Sequence, residues 1–127
     1  MAIKPLTTNI RDEGQLADGH FPNFAGTVAV DAFISGRIDI VDSLVKKMIG
    51  TAKYTGASAD EINILHEAEV YLVCGKLWQA ILNVMVHYDA EDLPPEFVSP
   101  EAAAANRDFY LGEAAKLLAP YDVDAMD

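Results

Sequence analysis

The chain has 127 residues, of which 51% are hydrophobic and 23% charged; this balance is typical of one globular domain and excludes a disordered chain. Nine Lys and Arg residues against 20 Asp and Glu residues leave a formal net charge of -11, which argues against binding to nucleic-acid phosphates or to anionic lipid. Cys74 is the sole cysteine, which excludes an intrachain disulfide and a multi-thiolate metal site.

The charge is concentrated at one end of the chain. Residues 89–127 carry a net charge of -8, whereas residues 1–88 carry only -3. A basic partner is therefore expected to contact the C-terminal third. The N-terminus lacks the apolar stretch of a signal peptide, so we expect the protein to stay in the compartment where it is made.

Residues 1–27 show no lasting hydrophobic period. Four residues that favour turns interrupt the segment: Gly14, Gly19, Pro22 and Gly26. The segment is predicted to be an irregular N-terminal arm, and an ordered loop lying over the core is the alternative. Phe21 and Phe24, close together, indicate that the segment packs against something.

A helical period begins after residue 28. Its apolar residues recur at steps of three and four and share one helix face: Ile34, Ile38, Val41, Leu44, Val45, Met48 and Ala52. This spacing predicts a helix over 39–53, with an extension back to 28 that is broken near Ser35 and Gly36.

The next predicted helix, over 59–88, is the longest. It begins with a capping box formed by Ser58 and Glu61. Its first half is amphipathic and places Glu67 and Glu69 on the exposed side, whereas positions 70–86 are apolar nearly all round, which is typical of a helix buried on every side. A membrane span is the competing interpretation, but polar residues interrupt the run and a span needs about 20 apolar residues. The predicted core residues of this helix are Leu72, Leu77, Trp78, Ile81 and Met85.

A loop over 89–99 separates this helix from a last one over 99–119. Ser99 as the cap, Pro100 at the first position and Glu101 in the first turn are the expected order at a helix start. The modest apolar stripe of this helix consists of Phe109, Ala114, Leu117 and Leu118.

The sequence therefore predicts an all-α fold, a small helical bundle around one long central helix. An irregular arm (1–27) precedes the bundle domain (28–119), and a short acidic tail (120–127) follows it.

No group of residues indicates catalysis. The three histidines lie far apart, and the second histidine of a zinc-protease motif starting at His66 would stand at position 70, which is Val70. Cys74 lies in the most apolar run, where a thiol is inert packing. No nucleophile elbow, phosphate-binding loop or calcium loop is present. The sequence predicts neither an enzyme nor a cofactor or metal site.

The order of elements resembles that of the head–tail adaptor (connector, or head-completion) proteins of tailed bacteriophages. The likeness covers residues 38–119 and lies in the layout: a helix with Ile38 and Met48, a short turn, the long apolar helix, a proline-bearing loop and a last helix. The longer lead-in of residues 1–37 departs from the family pattern.

The resemblance implies a structural virion protein at the neck, made in the host cytoplasm and assembled as a ring of about twelve copies between the portal protein and a tail or neck protein. Membrane binding and sequence-specific nucleic-acid binding are not implied. The candidate subunit contacts are basic: Arg37, Lys46, Lys47 and Lys53. The candidate portal contacts lie in the tail: Tyr121, Asp122, Val123, Asp124 and Met126.

The alternative function is that of a small acidic helical regulator, or a nucleic-acid mimic, that binds a basic protein. It is motivated by the charge of the C-terminal third. A mimic places its acids in phosphate-like rows, whereas the acids here alternate with Ala, Leu and Pro.

Overall fold

The computed structural model describes residues 2–87, 97 and 99–121, and these form helices and their connections without a β-strand. In chain order the elements are α1 (Thr7–Gly14), a 3₁₀ turn (Asp18–His20), α2 (Gly26–Ile49), α3 (Thr51–Thr55), α4 (Ala59–Met85) and α5 (Pro100–Leu118). Helix α4 contacts α1, α2 and α5, and its contact with α5 is the most extensive. The predicted all-α bundle around one long central helix is confirmed.

The starts of α4 and α5 follow the capping signals in the sequence. The backbone N–H of Glu61 donates to Ser58 Oγ (3.3 Å), and the Ser58 N–H donates back to Glu61 Oε1 (3.1 Å). At α5, Ser99 Oγ accepts a hydrogen bond from the N–H of Ala102 (3.1 Å). Both helices lie within a few residues of their predicted bounds, although residue 88 lies outside the described residues.

Helix α2 differs from the prediction at both ends and at its centre. It runs unbroken from Gly26 to Ile49, so the predicted break near Ser35 and Gly36 is wrong. An interior glycine costs a helix about 1 kcal/mol, which the burial of four α2 side chains around it offsets. The helix ends before residue 53 because Gly50 adopts a φ of +91°, a conformation that interrupts the helical path.

The predicted irregular arm over 1–27 contains helix α1 and the 3₁₀ turn, so the prediction of an irregular segment is wrong there. Eight residues are too few for a hydrophobic period to emerge, and Ile10 is the sole large apolar residue of α1 that is buried. Tertiary contacts therefore stabilise this helix more than its own propensity does.

Arg11 holds the N-terminal segment together. Its Nε donates to Asp31 Oδ1 on α2 (2.8 Å), and one terminal nitrogen donates to Asp18 Oδ1 in the 3₁₀ turn (2.7 Å). Thr27 donates its hydroxyl to the other oxygen of Asp18 (2.5 Å). Because the guanidinium presents several donors in one plane, a single side chain joins α1, the 3₁₀ turn and α2.

The central helix supplies more of the core than any other described helix. Leu77 and Ile81 are fully buried, and Trp78 and Met85 are nearly so, as predicted; Leu72 is partly exposed. Within the described residues, no helix has the length and apolar character needed to cross a membrane.

Two placements from the sequence are wrong. Glu69, expected on the exposed side of α4, has no exposed surface, because α2 and α3 cover that side. Phe109, expected on the apolar stripe of α5, is 57% exposed, because α5 buries a different face, with Tyr110 and Leu118 beside the small residues Ala103 and Ala114.

Small residues at this contact allow α4 and α5 to approach each other closely. A Cβ atom at Gly75 would lie 2.6 Å from Leu111 Cδ2 and 3.2 Å from the Leu111 backbone nitrogen. The distance to the backbone matters most, because a side chain can rotate away whereas a packed helix has to shift as a whole.

We expect Trp78→Ala to lower the free energy of unfolding by about 3–5 kcal/mol, because it removes a large buried side chain that contacts the ring of His20. Phe109→Ala, at the exposed aromatic residue of α5, is the matched control and should cost less than about 1 kcal/mol. Denaturant titration followed by circular dichroism measures both, and equal losses would contradict the described core.

We expect Gly75→Ala to destabilise the protein by about 1–3 kcal/mol through overpacking between α4 and α5. Gly112→Ala on α5 is the control, since nothing lies within 4 Å of its added Cβ, and it should stabilise the protein by up to about 1 kcal/mol. Thermal unfolding of the two variants should therefore shift in opposite directions. A stabilising effect at Gly75 would show that the two helices are not in close contact.

Candidate functional site

An open apolar groove of about 560 Å³ lies at the surface between α2 and α5. Its lining combines Met48 from α2, Leu72 from α4 and five residues of α5 and its C-cap: Leu111, Ala114, Ala115, Leu118 and Ala119. The three alanines leave the groove open, since larger side chains at those positions would fill it. A groove of this composition fits apolar side chains of a partner and contains no acid–base pair.

The apolar surface continues along α2 beyond the groove. Ile40 and Leu44 precede Met48 by two turns and one turn, and they are 50% and 43% exposed. Leu44 was expected on the core face, but the core uses a neighbouring stripe that includes Val41 and Val45. The signal for the exposed stripe was present in the sequence: α2 has more apolar positions than one face can bury.

Lys46 and Lys53, two of the four basic residues predicted as subunit contacts, are engaged within the chain. The Lys46 ammonium lies 4.8 Å from the centre of the Tyr54 ring. Lys53 Nζ lies 3.1 Å from Glu61 Oε2 on α4. Both side chains help to hold α3 between its neighbouring helices.

Arg37 and Lys47, the other two, are exposed on α2. Arg37 lies over the Phe33 ring at 5.2 Å, and Lys47 makes no ion pair with a described residue. The structure thus divides the predicted charged face: Lys46 and Lys53 support α3, whereas Arg37, which lies over Phe33 of its own helix, and Lys47 are exposed beside Ile40 and Leu44.

Tyr121 is the one candidate portal contact within the described residues. It is partly buried against the core, and Lys53 Nζ lies 5.8 Å from the centre of its ring. Asp122, Val123, Asp124 and Met126 lie outside the described residues.

A second groove, of about 700 Å³, is polar and lies between α1 and α4. It is lined by Asn9, Asp12, Glu13, Asn63, His66, Glu67 and Val70. His66 Nδ1 lies 3.1 Å from the carbonyl oxygens of both Ala2 and Ile3, so its proton belongs on that nitrogen and anchors the chain's start. Three carboxylates make this groove suited to a cationic partner.

Glu69 is the most unusual ionisable residue of the structure. Neither of its carboxyl oxygens makes a hydrogen bond of normal geometry with a described residue. Burial, and after it the neighbouring Asp42 carboxyl, raise the pKa of Glu69 to about 9, so Glu69 is protonated at neutral pH. Asp42 accepts a hydrogen bond from the Tyr54 hydroxyl, which ties α3 to α2 over the buried carboxyl.

Cys74 is a packing residue. Its thiol is buried and points to the carbonyl oxygen of Ile10 at 3.7 Å. Burial raises the pKa of Cys74 to about 12, which suppresses the reactive thiolate at neutral pH. No cluster of three or more His, Cys, Asp or Glu side chains in the described part of the chain is placed to hold a metal ion.

We expect Glu69→Gln to stabilise the protein above neutral pH. The folded chain retains a proton that the unfolded chain releases above a pKa of 4.5, so the wild-type stability falls as the pH rises from there to about 9. Glutamine, which cannot ionise, should raise the free energy of unfolding near about pH 8 by about 1–3 kcal/mol and flatten its pH dependence. Glu67→Gln at an exposed position of α4 is the control and should leave the slope unchanged. Denaturant titrations across this pH range measure both, and an unaltered slope in Glu69→Gln would contradict a protonated buried carboxyl.

Comparison with known proteins identifies no relative. No protein-family model, no curated protein and no solved structure matches the chain. The function is therefore inferred from the chain's own charge pattern, surfaces and architecture.

Proposed function

We propose that this chain is a structural virion protein, a ring-forming head–tail adaptor that joins the portal to the tail. The observation that carries the proposal is the apolar groove with its extension along α2 through Ile40 and Leu44. Contiguous exposed apolar surface marks a contact with another protein chain, because water is a poor solvent for it. The type of assembly, a ring between portal and tail, is taken from the resemblance in helical layout.

The acidic C-terminal third supports a second contact, with a basic ledge of the portal. Helix α5 and residues 120–127 would face that ledge, with the acids steering the approach and Tyr121 contributing apolar area. Charges at the rim of an interface act mainly on the association rate and its salt dependence.

We expect the purified chain to sediment well above its monomer mass of 13.8 kDa and to form closed rings of about twelve copies, alone or on purified portal protein. A variant that ends at residue 119 should keep the self-association and lose binding to the portal, since it lacks the tail contact. Sedimentation velocity and negative-stain imaging measure both properties. A wild-type chain that stays monomeric alone and with the portal would refute the adaptor proposal.

The polar groove between α1 and α4 favours a second candidate function, a small acidic regulator that binds a basic protein. Asp12, Glu13 and Glu67 line this groove within one open space of about 700 Å³. A regulator of this kind would stay monomeric and bind its basic target with a strong salt dependence. The sedimentation experiment separates the two candidates, because only the adaptor requires self-association.

A further inference from the structure

Helix α2 has an exposed stripe that the core does not use. Arg37, Ile40, Leu44 and Lys47 follow at steps of three, four and three residues, so they lie on one helix face. All four are exposed, and the two apolar residues stand between the two bases. The stripe is thus a convex apolar ridge with a positive charge at each end.

Helix α5 presents a stripe with the same spacing and the opposite charge. Asp108, Leu111, Ala115 and Leu118 also follow at steps of three, four and three residues. The last three line the apolar groove, with Leu118 buried at its floor. The side chain of Asp108 lies one turn before them and is 68% exposed, and its Oδ1 accepts a hydrogen bond from Nε of the neighbouring Arg107 (2.8 Å). Glu101, seven residues before Asp108 and also exposed, extends the acidic end.

We propose that a second copy of this chain occupies the groove, with the Ile40 and Leu44 ridge of one copy lying along the α5 stripe of the other. The inference rests on the self-association in the proposed function and assigns the contact surface. Ridge and groove are apolar at their centres, and the acid at the N-terminal end of the α5 stripe is opposite in sign to the two bases of the ridge. A chain that carries both halves of a complementary pair selects another copy of itself as the occupant.

The dimensions of the two stripes agree. Each covers eleven residues, or about 15 Å over its ten helical steps, so the two stripes match in length. Spacings of three and four residues are those of helix pairs that pack side by side. If the two helices run parallel, Arg37 lies opposite Asp108; if they run antiparallel, Lys47 lies opposite it. Ala115 provides the space that a large side chain of the ridge needs.

The first test uses Leu44→Asp, which places a charge in the middle of the ridge without changing the core. Sedimentation velocity over a concentration series should show a dissociation constant raised at least about tenfold, with the helical circular dichroism and melting temperature retained. Val28→Asp is the matched control, since Val28 is 85% exposed on the same helix but on another face. It should leave the association unchanged.

The second test reverses the charges. Asp108→Lys should weaken association, and so should the double variant Arg37→Glu with Lys47→Glu, because each places like charges against each other. Combining all three substitutions in one chain should restore association, which a merely structural role of these residues would not produce. Failure of the combined variant to recover would overturn the proposed charge pairing.

The outcomes separate this inference from the proposed function. Oligomers that form normally in Leu44→Asp would overturn the assigned surface and leave the adaptor proposal standing. A wild-type chain that is monomeric at every concentration and on the portal would overturn both, and would leave the groove to a different protein. Equal loss of association in Leu44→Asp and Val28→Asp would also overturn the assigned surface.

Discussion

The close approach of α4 and α5 at Gly75 is the constraint on which the rest of the structure depends. A Cβ at position 75 would lie 2.6 Å from Leu111 Cδ2 and 3.2 Å from the Leu111 backbone nitrogen, so the glycine lets the two helices pack at this distance without displacing either. Their contact buries Ala103 and Ala114, small residues that also keep the helices close. Because α4 is at the same time the partner of α1 and α2, its seating on α5 sets the position of every other helix.

The N-terminal segment closes the other side of α4 through polar contacts. Arg11 joins α1 to α2, and the Tyr110 hydroxyl of α5 donates to the carbonyl oxygen of Glu13 at 2.7 Å. Hydrogen bonds to partly buried charged groups are stronger than neutral ones. Apolar packing adds to them, since Ile3, Ile10, Leu16 and Phe21 of this segment are all buried in the core. A short helix with weak intrinsic propensity is thereby ordered by its surroundings.

The same packing leaves α2 and α5 separated by an open groove above Leu72. One buried stripe of α2 completes the core, and a second stripe with Ile40 and Leu44 stays exposed. Isolated exposed leucines are ordinary in proteins, whereas here a ridge with two exposed apolar residues runs into a groove of the same apolar character, and the proposed self-association rests on that continuity. The thiol of Cys74 and the carboxyl of Glu69 are both buried and protonated at neutral pH.

The local sequence determined the helices whose signals are themselves local. The capping residues Ser58 and Ser99 set the starts of α4 and α5, and the apolar run of α4 sets the burial of Trp78. Helix caps and continuous hydrophobicity are local signals, because they need no distant partner. Only the tertiary structure decided the rest. Helix α1 exists because Arg11 reaches a carboxylate 20 residues away, and Glu69 is buried because α2 and α3 pack over a side of α4 that its own sequence marks as polar. The groove also depends on the tertiary structure. It is lined by residues of three helices, and the sequence pattern of a single helix does not specify how far apart the helices lie.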